Sequence, residues 1–480
     1  MPDYDAIVVG AGPNGLGAAV ELARAGWSVL VREQADTVGG AARSAEGTRP
    51  GFVHDLGSAI HPMAAASPLF RQLPLEDYGL SWVQPELPFA HPLDGGRAAA
   101  LHRSLEATAQ GLGPDGAAYR RLLSPLVECW STLLDEVLQP VLHVPEAPIL
   151  LARFGLRALA PATLLGRGVF ETEEARALWA GVAAHANLPL SAVGSSAFGL
   201  TLSVVGHAVG WPFPEGGAGA LTQALAGYFR DLGGTIETGT PVHDVNALPS
   251  ARAVLLTLTP RQVLRVARPC LPSGYADRLA QYRYGAAAFK VDYALSDPIP
   301  WAADACGRAG TVHLGGTLDE IAASEQAVAD GRVPERPYVL LAQHSRFDDS
   351  RAPGDRHTAW AYCHVPNGSS VDATDEIERQ IERFAPGFRD TILDRHVMGP
   401  QALEAWNPNL VGGDINGGAL DLQQVIARPV LQWTPYRLPG RTQSGAQLYL
   451  SSASTPPGGG VHGMCGMHAA RTALQDEDVR

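Results

Sequence analysis

Runs of apolar residues along this chain change period at glycines and prolines, and each change marks an element. Asp5-Ala-Ile-Val-Val9 is a short apolar run, followed by Gly10-Ala-Gly12-Pro13-Asn14-Gly15 and then by apolar residues at helical spacing. That order predicts a buried strand, a glycine turn and a helix. Ser28 to Val31 predicts a second strand. Much later the pattern returns. A helix is predicted over Leu221 to Leu232, a short strand after Gly233-Gly234, another strand over Pro241 to Val245, and a buried one over Ala253 to Leu258. Near the end, Gln447-Leu-Tyr-Leu450 predicts a strand, and Gly458-Gly-Gly-Val-His-Gly463 turns into a closing helix that reaches about Leu474.

The strand and turn signals thus fall in three separated blocks that are expected to share one sheet. Two stretches of different character lie between them. Ala64 to Phe213 carries apolar residues at helical spacing, as in Glu174-Ala-Arg-Ala-Leu-Trp-Ala-Gly-Val, and is expected to be mainly helical. Phe289 to Leu420 mixes strand-like runs, Val339-Leu-Leu-Ala and Thr358-Ala-Trp-Ala-Tyr, with a helix over Asp375 to Phe384. The fold class expected is α/β, a Rossmann-like domain (1–63, 214–288 and 421–480) interleaved with an α+β domain (64–213 and 289–420). A helical wall beside a sheet favours an enclosed apolar chamber.

Composition narrows the partners. With 36 Lys plus Arg against 49 Asp plus Glu, the net charge of −13 and the lack of any basic cluster argue against a nucleic acid. Five cysteines without C-x-x-C or His-paired spacing indicate neither a disulfide framework nor a metal site. No apolar run is long enough to span a bilayer, and the Met1-Pro-Asp-Tyr start lacks the basic region of a signal peptide. A cytoplasmic protein is expected, with a peripheral contact between its helical insertion and a membrane left open, as is its oligomeric state.

The first block reads as a phosphate trap. Gly10 permits the tight turn, Gly12 lets a pyrophosphate approach the backbone, and Gly15 lets the helix pack on its strand. Glu33, at the end of the second strand, stands where a carboxylate holds the hydroxyls of an adenosine ribose. Past it, Val38-Gly39-Gly40-Ala-Ala-Arg43 adds a second glycine pair and an arginine able to reach the pyrophosphate of FAD. Gly57 and Ser58, in Gly51-Phe-Val-His-Asp-Leu-Gly57-Ser58, supply small residues where backbone runs close to a flat ring. Gly459, Gly460 and Val461 precede the closing helix, whose N-terminus would face the flavin edge where negative charge collects.

With these residues in this order, the chain resembles the FAD-dependent phytoene desaturase and flavin amine oxidase superfamily over nearly its whole length. Gly206-His-Ala-Val-Gly-Trp211-Pro-Phe-Pro-Glu-Gly-Gly217, Ala288-Phe-Lys-Val-Asp-Tyr-Ala-Leu, Gly412-Gly-Asp-Ile and Pro457-Gly-Gly-Gly-Val-His-Gly are similar to the phytoene-dehydrogenase-related group, which includes the pyridine nucleotide-disulfide oxidoreductase domain-containing proteins. The resemblance implies a p-hydroxybenzoate-hydroxylase-like FAD domain. It implies that Gly10, Gly12 and Gly15 bind pyrophosphate, Glu33 the ribose, Arg43 the phosphates and Val242 the adenine through its backbone. Where many relatives carry Gly-Asp or Cys-Gly, this chain has Ser451-Ser-Ala-Ser454, so Ser454 is the candidate for a ribityl contact that the departure leaves open.

Lys290 is the only lysine in the chain. It falls in a predicted strand, eleven residues before Trp301, and resembles the strand lysine of flavin amine oxidases that holds a water against the flavin. A compact ammonium suits that task better than a guanidinium. The plain alternative is a strand-end lysine with its head in water. His61 and His462 each follow a glycine-bearing turn and are candidate cavity residues; His54 and His468 are weaker. Cys465 reads as a buried filler at a helix start.

The function expected is hydride transfer between a flavin and a small apolar organic substrate, with carbon–carbon desaturation favoured. An amine oxidase, an isomerase, a saturase, or a non-catalytic flavoprotein that binds a lipid or a partner are the alternatives. No G-x-S-x-G, H-E-x-x-H or acid pair points elsewhere.

Overall fold

The computed structural model describes residues 2–478. Strand β1 (Tyr4–Val9), helix α1 (Pro13–Arg24) and strand β2 (Val29–Arg32) follow one another as the apolar pattern predicts. β1 pairs in parallel with β2 on one side and with the Ala251–Leu256 strand on the other. A six-stranded sheet results, in the order Arg437–Arg441, Gln447–Leu450, Ala251–Leu256, β1, β2, Thr235–Glu237. All three sequence blocks therefore meet in one sheet. Its faces carry α1, the Gly219–Asp231 helix and the closing Met464–Asp478 helix, the last extending beyond the predicted end.

Glycine sets how closely these layers pack. A Cβ on Gly15 would lie 1.9 Å from the Gly10 carbonyl oxygen, and one on Gly466 would lie 1.8 Å from that of Asn14. Only residues without a side chain let the closing helix cross α1 at that distance.

The second sheet has seven strands. Strand β3 (Ala287–Leu295) lies between Ile392–Met398 and strand β4 (His357–Val365), and the sheet continues through Val339–Ala342 and Ala309–Leu314 to a hairpin, Leu87–Leu93 with Arg97–Leu101. β3 alternates cleanly. Phe289, Val291 and Tyr293 enter one apolar core, whereas Ala288 faces another with Trp360 and Tyr362 of β4. Helices from the first insertion, among them α2 (Pro148–Ala158) and α3 (Ala162–Val169), stand on that second side.

One expectation is qualified by the structure and one needs correction. The hairpin at 87–101 interrupts the stretch expected to be mainly helical, because its Gly95-Gly96 turn takes positive φ (79° and 73°) and returns the chain alongside itself. Pro241 to Val245 is not a strand. The chain folds back toward the end of β2 instead, where the Thr240 N–H donates to the Glu33 carbonyl, and the Asp244 carboxylate accepts the Asn246 N–H to start a turn.

Candidate active site

A cavity of about 1090 Å3 runs between the two sheets. One end is the glycine turn. Gly10 adopts φ 104°, which no residue with a Cβ takes readily, and Gly12 caps α1 without any side chain reaching the helix N–H groups. Unpaired N–H groups, the positive end of the helix dipole and no acidic residue in the first turn make an anion site. Gly40 closes over it: a Cβ there would lie 2.9 Å from the Gly12 Cα, filling the groove. Glu33 is held in place by the Ala11 N–H at 2.7 Å and the Ala35 N–H at 2.9 Å. Pro13, Asn14 and Val242 line the same end.

Arg43 lines the groove with its guanidinium 4.7 Å over the Trp406 ring, while its Nε donates to the Gly40 carbonyl at 2.9 Å. Burial lowers its pKa, with Glu33 opposing. Gly57, Ser58, Gly459, Gly460 and Val461 also line the cavity. Gly39 and Gly15 stand behind the wall, where Gly39 donates its N–H to the Ala11 carbonyl and Gly15 accommodates Gly10. The assignment of Ser454 fails. Its hydroxyl is spent on the Gly417 carbonyl at 2.6 Å, and Ser452 and Ala453 line the cavity instead.

Lys290 reaches the cavity from the middle of β3, 2% exposed, so the strand-end alternative with a solvated head is excluded. Its ammonium is ion-paired with Asp292, two residues on along the same strand face. Around that carboxylate, which is fully buried, stand His396 at 3.5 Å and His54 at 3.8 Å. Burial opposes the charge on Asp292, yet Lys290 and His396 together hold its pKa below the usual carboxylate value. The aromatic neighbours of Lys290 are not the expected one. Trp301 donates its Nε1–H to Gln343 and stays outside the cavity, whereas Trp360 and Tyr362 line it from β4, their rings 5.2 Å apart.

His61 and His462 both line the cavity and are 1% exposed. Burial pushes each imidazole down to about 4, so both are neutral near pH 7. Ser58 Oγ lies 3.1 Å from His61 Nε2. His462 Nδ1 accepts the Met464 N–H at 3.1 Å, which leaves the ring proton on Nε2 and caps the closing helix with a neutral ring. His54 pairs with Thr48, and His468 with the Leu138 carbonyl. Cys465 is fully buried and burial raises its thiol to about 11, which suits a filler.

The rest of the wall is mixed: His185 and Asn187 bring polar groups to it, and between them it is largely apolar. Leu151 and Phe154 come from α2, Phe198 and Leu202 from the Ser196–Ala208 helix, and Trp211 and Leu340 complete the chamber. Trp406, Trp360 and Tyr362 were not found by sequence reasoning, because each reaches the site across the fold from a neighbouring segment.

The flavin containing amine oxidoreductase family model matches residues 15–269, more than half of the chain. The chain belongs to this family. Pyridine nucleotide-disulfide oxidoreductase domain-containing protein 2 of Rattus norvegicus is 28% identical over 99% of this chain and 94% of its own length. The phytoene dehydrogenase of Streptomyces griseus is 25% identical over 95% of this chain and 92% of its own. Among solved structures, an oxidoreductase from Methanosarcina mazei shares the fold, with a TM-score of 0.66, 16% identity, and 98% and 99% of the two chains covered. The protein is an FAD-dependent oxidoreductase. Its glycine turn, the uncapped start of α1 and the Gly12–Gly40 cradle fit that cofactor.

Proposed function

We propose that the protein dehydrogenates a neutral, largely apolar organic molecule at a carbon–carbon bond. Bound in the groove, FAD supplies the acceptor for a hydride. The chain's part is to hold the reacting C–H bond against the ring, exclude water and manage one proton. Leu151, Phe154, Phe198 and Leu202 give the substrate an apolar bed. Lys290, ion-paired with Asp292, borders that bed, and the proton released from the carbon beside the hydride donor passes to the neutral His61 ring, whose Nδ1 has no hydrogen-bond partner. Neutral His61 and His462 border it without adding charge.

The observation that carries this reading is the state of the carboxylates. Among the described residues, Glu33 and Glu136 are the only carboxylates that line the cavity, and both are committed, Glu33 to two backbone N–H groups and Glu136 to His143 and the Ala147 N–H. A protonated amine would find no free anion there and would share the chamber with the Lys290 ammonium, an unfavourable pairing in a low-dielectric site. Amine oxidation, which the family name raises, is therefore the second reading.

Anaerobic mixing separates the two. Isoprenoid and fatty compounds are expected to bleach the bound flavin and primary amines to leave it yellow; bleaching by amines alone would overturn the proposal.

A further inference from the structure

Three histidines from different segments form a line that leads away from the chamber. His185, on the single turn Ala184–Ala186, lines the cavity, and its Nε2 lies 3.0 Å from Nε2 of His313 on the Ala309–Leu314 strand. His91, on the Leu87–Leu93 strand, has its Nε2 2.7 Å from the Gly316 carbonyl oxygen. His313 and His91 meet over Gly181, where a Cβ would lie 2.7 Å from His91 Nδ1 and 3.2 Å from His313 Nδ1. Burial pushes His185 down to about 3 and His91 to about 4, and takes His313 well below the usual imidazole value. All three rings are therefore neutral near pH 7.

A neutral imidazole carries one proton, and its partners decide on which nitrogen. A carbonyl only accepts, so His91 donates from Nε2 and its Nδ1 is a lone pair. With its own proton on Nε2, His313 would set a second buried lone pair against that one over Gly181. With the proton on Nδ1 it turns a donor toward His91, and its Nε2 is left to accept from His185. The proton of His185 is then on Nε2. Its Nδ1, which makes no hydrogen bond among the described residues, remains an acceptor on a ring that lines the chamber.

Two residues on, Asn187 lines the same chamber and is 9% exposed. Neither its Nδ2 nor its Oδ1 has a hydrogen-bond partner. Burying amide groups unpaired is unfavourable, and a folded chain keeps them where a bound group completes them. The Ser196–Ala208 helix packs on the His185 turn and brings Thr201 to the wall beside Phe198 and Leu202. His185, Asn187 and Thr201 thus give an otherwise apolar chamber a polar end without charge. A keto or ether oxygen would face the His185 lone pair with one of its own. A hydroxyl group donates to that lone pair and accepts from the amide.

We propose that this end of the chamber is a subsite for a neutral hydroxyl group, held by His185 Nδ1 and the Asn187 amide, so that the substrate is an apolar alcohol rather than a plain hydrocarbon. Its apolar body rests on the reading given above, whereas its hydroxyl rests on these two side chains.

Isothermal titration calorimetry of the oxidised, FAD-loaded protein with dodecanol, undecyl methyl ether and tridecane, three probes of matched length, tests the subsite without turnover. Wild type is expected to bind the alcohol at least about ten-fold more tightly than the ether or the alkane. Asn187→Gly suits the φ of 50° at that position, so it is expected to keep the flavin and its affinity for the alkane while losing most of the preference. Equal affinity of wild type for alcohol and ether, a preference that the substitution leaves unaltered, or failure of all three probes to bind would overturn the proposal. Preferred binding of the alcohol to a protein whose flavin no apolar compound bleaches would leave the subsite intact and sink the proposed reaction instead.

Discussion

Lys290 and Asp292 alternate with Val291, so the pleat of β3 puts both charges on the chamber side, where neither meets bulk water. Their mutual pairing decides what a substitution does. Lys290→Met leaves a fully buried carboxylate uncompensated, a change that typically destabilises by about 3–5 kcal/mol. Lys290→Met/Asp292→Asn removes both charges and is expected to recover most of that loss. If Lys290 serves the reaction, the double variant should bind FAD and unfold near the wild-type urea midpoint, yet reduce or reoxidise its flavin at least about ten-fold more slowly. Wild-type rates in both half-reactions would show that the ion pair is only structural. Lys290 stood out in the sequence as the lone lysine of a predicted strand, but its pairing with Asp292 did not. Nor did the flanking of this pair by Trp360, Tyr362 and His396, since each arrives from another strand through the register of a sheet that no local pattern specifies.

At the level of elements, the contact between α1 and the closing helix is the tightest dependence in the FAD-binding half. Gly466→Ala would place a methyl group 1.8 Å from the Asn14 carbonyl oxygen, so the helices must separate, and the Asn14 turn and the Gly459–Val461 segment would move apart with them. The expected result is protein that purifies with little FAD and melts well below wild type in calorimetry; full flavin content would show that the two helices adjust independently of the groove. Gly10, Gly12 and Gly15 declared their purpose in the sequence because turn, strand and helix are contiguous there. Gly466 lies in the first turn of a helix and looks there like an ordinary weak helix former; only the crossing reveals its need. The same distinction explains the elements. β1, β2, Gln447–Leu450 and the Thr374–Phe384 helix follow their own periodicity. The 87–101 hairpin, rich in Ala, Leu and Pro and without a single β-branched residue, forms because Ala309–Leu314 offers it an edge. Ser454 was misplaced for a related reason, since the Gly417 loop that captures its hydroxyl lies 37 residues away.

Segments outside the two large sheets are joined by buried charge as well as by apolar packing. Arg351, wholly buried, bridges Asp55 at 2.8 Å and Asp348 at 3.1 Å, while Asp55 also accepts from Ser44 and the Ala218 N–H. Burial opposes the charge on Asp55, but Arg351 and His344 hold its carboxyl well below the usual range. Around this lock and the chamber, burial pushes His54, His61, His344 and His462 down to about 4. An unfolded chain takes up those protons near pH 6.5, before the folded one does. Stability is therefore fully present above about pH 6.5 and falls as the pH drops toward 4, by up to about 1.4 kcal/mol per pH unit for each histidine. Urea midpoints should decline steeply from pH 7 to pH 5; a flat profile would mean that these imidazoles are hydrated in solution.

The proposed cofactor site needs two distant glycine turns to clasp the same molecule. FAD titrated into deflavinated protein, followed by flavin fluorescence, is expected to saturate at one per chain. Gly12→Val and, separately, Gly460→Val, each placing a branched side chain on the cavity wall, should each abolish that binding. Binding at full stoichiometry that is indifferent to either substitution would contradict it.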